Sequence, residues 1–372
     1  MSTHASSRPR VLVVTTVHPP DDPRIRYKTA ASLAEDFAVR LATRAPGPDD
    51  TRGIDSVVLD GSRPRRALRA LRQMLRRDVD LVSVHDPKLL PVALLAKLVR
   101  RVPVVFDVHE DLPVRAGLSR RQPAAGEGGS AVRARVGPWL ARRMLHVVER
   151  LVVVTLAEEG YARDFRRAHP VLPNHLLVEV LPPPSANATG GGVVYLGDVT
   201  TARGVTVLLD AVSSGLPGRT LHLIGRCAPG LADELRHRAN ELGVSLEVHG
   251  WMPLPVALRL VAVAEVAACP LTDHPAYRRS LPTKVLEYLA VGVPVVASDL
   301  PGTREVVEGL PGVVLVAPDR VDELARGLAV AADPALRAAA VQGVAAVRER
   351  FGWPDERIRQ VYRDVVSSSA ER

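Results

Sequence analysis

The chain has 372 residues, 47% apolar and 24% charged, a composition that excludes a disordered protein and, at this length, predicts two domains. No apolar run reaches the roughly 18 to 20 residues that span a bilayer, and a soluble protein is expected. Only Cys227 and Cys269 are present, which excludes a disulfide framework, and 3% aromatic residues without a recognition module argue against nucleic acid as a partner. The net charge of +8 is uneven: residues 1–175 carry 30 Lys/Arg against 19 Asp/Glu, residues 176–372 carry 19 against 22. The first half holds the basic surface.

The polar start, Met1–Arg10, lacks the apolar core and cleavage site of a signal peptide, so a cytoplasmic location is expected. β-Branched runs at 11–17, 38–43, 80–84, 103–107 and 150–154 predict strands. Between them lie helical periods such as Ile25–Glu35 and Leu89–Arg100. An arginine-rich helix is expected at Arg63–Arg77, with Leu68, Leu71 and Leu75 forming its core face. A second basic stretch, Arg133–Arg150, surrounds Trp139, and Ser119–Ser130 reads as a mobile surface loop. Leu181–Gly192 begins with prolines, ends with glycines and has no apolar period, so it predicts a linker. A second series of strands follows at 193–197, 220–224, 245–249, 265–269, 294–298 and 312–316. Helices are expected at Val205–Ser213, Leu231–Leu242 and Lys284–Val291, and a last one near Trp353–Val366 that packs back on the first domain.

This alternation predicts an α/β protein of two doubly wound domains, 1–180 and 193–352, joined by 181–192 and closed by 353–372. Ligands of such folds bind outside the carboxyl ends of the strands, so residues just after strands are the candidates. After the first strand, His18-Pro-Pro-Asp-Asp-Pro-Arg24 bars an immediate helix, and Asp22 can cap the next one or meet a ligand. There is no Gly-x-Gly-x-x-Gly dinucleotide fingerprint. His85-Asp86 and Asp107-Val-His109-Glu110 end two further strands. The pairs His18/Asp22, His85/Asp86 and His109/Glu110 therefore share one sheet edge, without the close spacing of zinc motifs, and suit hydrogen bonding to a hydroxyl-rich ligand.

In the second half, Gly197-Asp198 ends a strand and Thr200-Thr-Ala-Arg203-Gly204 opens a helix, a place where free amides and a cation hold phosphate. Asp198 opposes an anion there unless its carboxylate turns to a hydroxyl or to Arg203. Further on, Tyr277–Asp299 contains a loop entering a helix, with Lys284 in the first turn and Glu287 three residues later on the same face. A diphosphate could meet the amides and Lys284 while Glu287 accepts from a ribose diol.

The run from Pro282-Thr-Lys-Val-Leu-Glu to Ala-Ser-Asp299 resembles the donor-site signature of the retaining GT-B glycosyltransferases of family 4. Further matches fall in order: His18–Ile25, His85–Pro87, Asp107–Glu110, Pro173-Asn174, Tyr195–Gly197, Arg203-Gly204, Ile224-Gly225 and Gly250–Met252. The resemblance implies two Rossmann-like domains facing across a cleft, and retaining transfer of a sugar from a nucleoside diphosphate sugar to an acceptor hydroxyl. The mechanism implied is front-side, needing no metal and no cofactor. It also implies that Glu287 binds the ribose, amides of Leu281, Thr283 and Lys284 face the diphosphate, and Arg203 stabilises the leaving phosphates. Gly197, Gly225, Arg226, Trp251, Met252 and Arg279 complete the donor side. His109 faces the reacting sugar, and His18, Asp22, Arg24, His85, Asp86 and Glu110 fall to the acceptor side.

The chain departs from the family in three places. Arg279 stands where a glutamate is common, Asp198 and Arg203 replace an Arg and Lys pair, and His18–Arg24 replaces a glycine-rich loop. Arg226 or Arg279 are the candidates to restore the lost charge. The acceptor is open: a glycan, a lipid-linked sugar or a small molecule. Two other readings are a GT-B nucleotide-sugar epimerase and a basic membrane-surface binder, since an arginine-rich amphipathic helix suits anionic lipid.

Overall fold

The structure, a computed structural model, describes residues 8–48, 53–117, 129–185 and 191–370. It divides into two compact units, Met1–Asn174 with Pro354–Arg372, and His175–Trp353. The first contains β1 (Arg10–Val14), β2 (Ala38–Thr43), β3 (Asp55–Val58), β4 (Leu81–Val84), β5 (Val104–Val108) and β6 (Val153–Leu156), in the order β3-β2-β1-β4-β5-β6. The second contains β7 (Val193–Leu196), β8 (Thr220–Ile224), β9 (Ser245–Gly250), β10 (Val266–Cys269), β11 (Val295–Ser298) and β12 (Val313–Val316), in the order β12-β11-β10-β7-β8-β9. All pairings are parallel. Each order is that of a doubly wound sheet, which reverses direction between β1 and β4 and between β7 and β10. Those two switch points are where side chains just past the strand ends face an open crevice.

The central strands are apolar on both faces because helices cover both. Val11–Val14 and Val193–Tyr195 are essentially buried throughout. Several elements differ from expectation. β3 has no counterpart among the predicted strands, because Asp55-Ser-Val-Val is a short, largely exposed edge strand with little apolar signal. The stretch 150–154 is split: a helix, Gly129–Leu151, runs into it and β6 begins only at Val153. Pro23–Ala30 forms a π-helical segment that continues as α-helix over Ala31–Ala34. In the helix Arg63–Met74, Ala70 and Met74 are buried, while Leu68 is 49% exposed and Leu71 and Leu75 pack only partly, so the core face is rotated from the predicted leucine face. Of the predicted loop Ser119–Ser130, residues 119–128 lie outside the described residues. Cys269 is buried but Cys227 only partly.

The division falls at 174/175, ahead of the predicted boundary at 180/181, because the intervening residues bond to the second unit. The Leu176 amide donates to the Phe351 carbonyl and the Trp353 amide to that of Leu176, each at 2.8 Å. Arg348 donates to the Pro182 carbonyl, and Arg337 to that of Ser185 at 3.1 Å. The helix Asp355–Ala370 belongs to the first unit, where the Tyr362 hydroxyl lies 2.7 Å from Ser83 Oγ and Arg363 pairs with Asp36.

Candidate active site

At the carboxyl edge of the first sheet, β5 delivers Asp107, buried and opposite Thr155 of β6. It accepts from Arg24 Nε and Nη2, both at 2.8 Å, and from Thr155 Oγ1 at 2.9 Å; His85 Nδ1 lies 3.3 Å away. Burial disfavours a charge there, but the bidentate Arg24 guanidinium outweighs it and holds the Asp107 carboxyl well below the usual carboxylate range. Arg24 also donates to the Leu172 carbonyl at 3.1 Å. At the switch point, Asp86 accepts from Thr15 Oγ1 and Thr16 Oγ1, each at 2.8 Å, and from the Thr16 amide, fixing the turn after β1.

That turn presents His18. Its Nε2 lies 3.1 Å from His109 Nε2 and its Nδ1 lies 3.4 Å from Asp22. His109 Nδ1 is 3.2 Å from the Asp107 carbonyl; with that nitrogen donating, His109 Nε2 accepts from His18. Burial opposes a charge on His18, but Asp22, Asp86 and Glu110 outweigh it and raise its pKa, in keeping with a ring that donates from both nitrogens. Burial likewise opposes the Asp22 charge, which His18 and the Ile25 amide nevertheless stabilise, lowering its pKa. Asp22 caps the following helical segment, accepting from the Arg24 and Ile25 amides at 3.0 Å. His85 is buried between Asp107 and Ser83, and burial pushes its pKa down.

Of the residues assigned to the acceptor side, Asp22 is taken up by its cap, and the other five, together with His109, fall into two groups. Arg24, His85 and Asp86 are 5%, 1% and 1% exposed, and the hydrogen bonds described for them run to groups inside the protein. They position the edge. His18, His109 and Glu110 are partly open, and His109 and Glu110 line a shallow depression with Pro87 and Leu112. Glu110 also pairs with Arg115.

The second sheet's edge is built from backbone and cations. Gly197, after β7, has φ +136°, and a Cβ there would stand 2.0 Å from Lys284 Cε. Gly225, after β8, has φ +145°, and its Cβ would stand 2.0 Å from the Gly197 carbonyl oxygen. Two positions that only glycine fits therefore let two strand ends touch and the Lys284 stem lie across them. Arg203 sits in the 3₁₀ turn Thr201–Arg203 ahead of the helix Val205–Gly215, with Nη2 3.8 Å from Asp198. Burial and the nearby Arg203 charge lower the Lys284 pKa, so the two cations share one electrostatic neighbourhood. Lys284 and Glu287 occupy successive turns of one face of the helix Thr283–Ala290.

Tyr288 fixes that helix: its buried hydroxyl accepts from the Leu196 amide at 2.8 Å. The Tyr195 hydroxyl donates to the Asp198 carbonyl at 2.9 Å and shapes the turn after β7. The sequence marks Tyr195 only as part of a matching motif and gives Tyr288 no role, although each is a hydroxyl embedded in an otherwise apolar run. The Thr283 amide, expected to face a ligand, instead donates to the Leu281 carbonyl at 2.9 Å within the turn. Arg226 lies over the exposed Trp251 ring at 5.8 Å from its centroid, and Met252 packs on the core beside it. Arg279 is half-buried in the loop before Thr283–Ala290.

Two Rossmann-like units, one with a histidine-lined strand edge and one with a glycine turn under paired cations, define a glycosyltransferase of the GT-B fold. Residues 4–175 match the glycosyl transferase 4-like domain and residues 190–333 match glycosyl transferases group 1. The chain belongs to the group 1 glycosyltransferases. It is 28% identical over 316 residues to the phosphatidyl-myo-inositol mannosyltransferase of Mycobacterium tuberculosis, covering 79% of this chain and 76% of that protein. The Mycobacterium leprae protein of the same name is 25% identical, covering 82% and 78%. Among solved structures, Anabaena HepE in complex with UDP and glucose superposes with TM-score 0.71 at 20% identity, covering 96% of this chain and 99% of that one. Sucrose-phosphate synthase from Thermosynechococcus elongatus superposes with TM-score 0.74 at 16% identity, covering 97% and 100%.

Proposed function

We propose that this glycosyltransferase uses a nucleoside diphosphate sugar, retains configuration and needs no divalent ion. The observation that carries this reading is the gathering of Lys284 and Arg203 around the Gly197 turn, with Glu287 one helical turn from Lys284. Two cations held close in a partly desolvated place repel each other, and a diphosphate relieves that repulsion. As the bond to the sugar breaks, charge grows on the departing phosphate, and cations already in position stabilise it without reorganising. They occupy the role a metal ion fills elsewhere. Lys284 is thus the second positive charge that Asp198 removes from the usual pair.

Glu287 accepts from the ribose diol, and Trp251 with Arg226 flanks the base. On the first unit, His109 positions the donor sugar or the acceptor hydroxyl, supported by His18 and the Asp107 network, while Asp22 and Glu110 shape the acceptor side. In the front-side route the leaving phosphate takes the acceptor proton, and no enzymic nucleophile is required. HepE, crystallised with UDP, supports the donor class, and the mannosyltransferase relatives, whose name gives a phosphatidyl-inositol, support a lipid-linked acceptor.

Peripheral contact with an anionic membrane is part of the proposal. No helix among the described residues is long and apolar enough to cross a membrane. The helix Gly129–Leu151, however, exposes Val136, Trp139, Leu140, Met144, Val147 and Leu151 at helical spacing, beside Arg135, Arg143 and Arg150. Such a stripe suits the headgroup region of a bilayer.

The test is calorimetric titration with UDP, GDP, TDP and ADP, then with their sugars. At least one nucleotide should bind the wild type, and Glu287→Ala should weaken it by about 1.5–3 kcal/mol while the fold stays intact, since charge-assisted hydrogen bonds are worth that much. No nucleotide binding, or full affinity in Glu287→Ala, rejects the donor assignment. Release of nucleoside diphosphate only when acceptor is present separates transfer from epimerisation. Co-sedimentation with phosphatidylglycerol vesicles, weakened in Trp139→Glu, tests the membrane contact; equal sedimentation with phosphatidylcholine removes the charge argument.

A further inference from the structure

We infer that His222, Glu247 and His249 form a transition-metal site, best fitted to Zn²⁺, that staples the edge strand β9 to β8. The placement follows from strand pairing. His222 on β8 lies opposite Glu247 on β9, and Glu247 and His249, two residues apart, share a face. The register runs His222 to Glu247 and Leu223 to Val248, then jumps to Ile224 with Gly250. His249 is the extra residue of this bulge, and bulges re-aim side chains. Its ring stacks on that of His222, centroids 5.4 Å apart and planes 23° apart.

Three ligand atoms converge. His222 Nδ1 is 3.2 Å from His249 Nε2 and 3.3 Å from Glu247 Oε2, and His249 Nε2 is 3.4 Å from the same Oε2. A tetrahedral ion with bonds of about 2.0–2.1 Å requires ligand atoms about 3.3–3.4 Å apart, so the trio has the shape of one face of such a site. Two imidazoles and one carboxylate suit Zn²⁺ or Co²⁺ and do not suit Mg²⁺ or Ca²⁺, which take oxygen-rich shells. The Glu247 side chain is 56% exposed, which leaves the fourth position to water.

β9 is the outermost strand of its sheet, and the bulge turns the chain into Gly250–Met252. An ion joining β8 to β9 pins both. The trio contains none of the residues assigned to the donor, so the inference stands whether or not that assignment holds.

Metal-free protein titrated with Zn²⁺ by calorimetry and with Co²⁺ by visible absorption tests it. The expected result is one ion bound per chain at this trio, the d–d bands of four-coordinate Co²⁺, and a higher Tm with Zn²⁺. His222→Ala and His249→Ala should each weaken binding by more than about 100-fold, because even partners outside the ligand shell cost 10–100-fold. Glu247→Gln, which preserves volume, keeps the test valid if an alanine variant fails to fold. His85, Asp107 and His109 are the other described trio able to hold an ion. No Zn²⁺ binding by the wild type, binding that persists in the His222 and His249 variants, or binding lost only in His109→Ala would each overturn the assignment.

Discussion

The two sheets share a strand order, but their carboxyl edges solve different electrostatic problems. Along the first, Asp107 is matched by Arg24, Asp86 by Thr15 and Thr16, and Asp22 by His18, so each buried charge meets its partner inside the unit. Along the second, Arg203 and Lys284 gather positive charge around two glycines; burial and the Arg203 charge depress the Lys284 pKa, while Tyr195, Tyr277 and Asp198 outweigh burial and raise that of Arg203. A closed network holds geometry. If the second edge takes the diphosphate as proposed, an anion there relieves the repulsion that lowers the Lys284 pKa, which Asp198 and Glu287 only partly offset. The contrast supports the proposed division of labour, with positioning on the first edge and diphosphate stabilisation on the second.

The most damaging test of the closed network is Asp107→Asn, which strands a buried Arg24 guanidinium. Breaking a buried pair from one side costs on the order of 3–5 kcal/mol, so urea unfolding should show a loss of that size. The Asp107 pKa is lower in the folded than in the unfolded state, so its contribution is full above the unfolded value of about 3.9 and lost as pH falls towards the folded one. The stability gap between wild type and variant should therefore narrow in acid. A gap that stayed constant down to the acid transition would mean the pairing energy was misassigned.

On the second edge, Arg203→Ala and Lys284→Ala should each lower kcat by about 10²-fold or more, with smaller changes in donor KM, if their contacts strengthen in the transition state. The double variant should lose less than the product of the two effects, because both cations act on one developing charge. Turnover unchanged in either single variant would break the comparison at its centre. His109→Ala provides the reciprocal check: kcat should fall by roughly the 10²-fold of a positioned polar group, with the affinity for bare nucleoside diphosphate unaltered. Lost nucleotide affinity would move His109 to the donor side. The smallest effect is expected from chelation. Turnover in EDTA should persist, and a loss that Mg²⁺ or Mn²⁺ reverses would show that the cations of the second edge are not sufficient.

Sequence alone determined what local geometry encodes. Runs such as Val11–Val14 and Val193–Leu196 are strands because β-branched residues suit a surface buried on both faces, and Leu231–Leu242 is a helix because its apolar period leaves no other burial. Lys284 and Glu287 could be placed on one face from their spacing, and strand ends could be marked as sites from the rule for open α/β sheets. Contacts set by sheet order could not be read this way. Arg24 meets Asp107 from 83 positions away, Lys284 crosses Gly197, Tyr288 reaches Leu196, and His249 lies against His222 beside the bulge between β8 and β9. The resemblance places Arg24 on the acceptor side, yet burial turns it to Asp107. The physical reason is range: periodicity expresses intrinsic backbone geometry over a few residues, whereas a side chain's partner depends on which strands the packed core makes neighbours, and only the tertiary structure decides that.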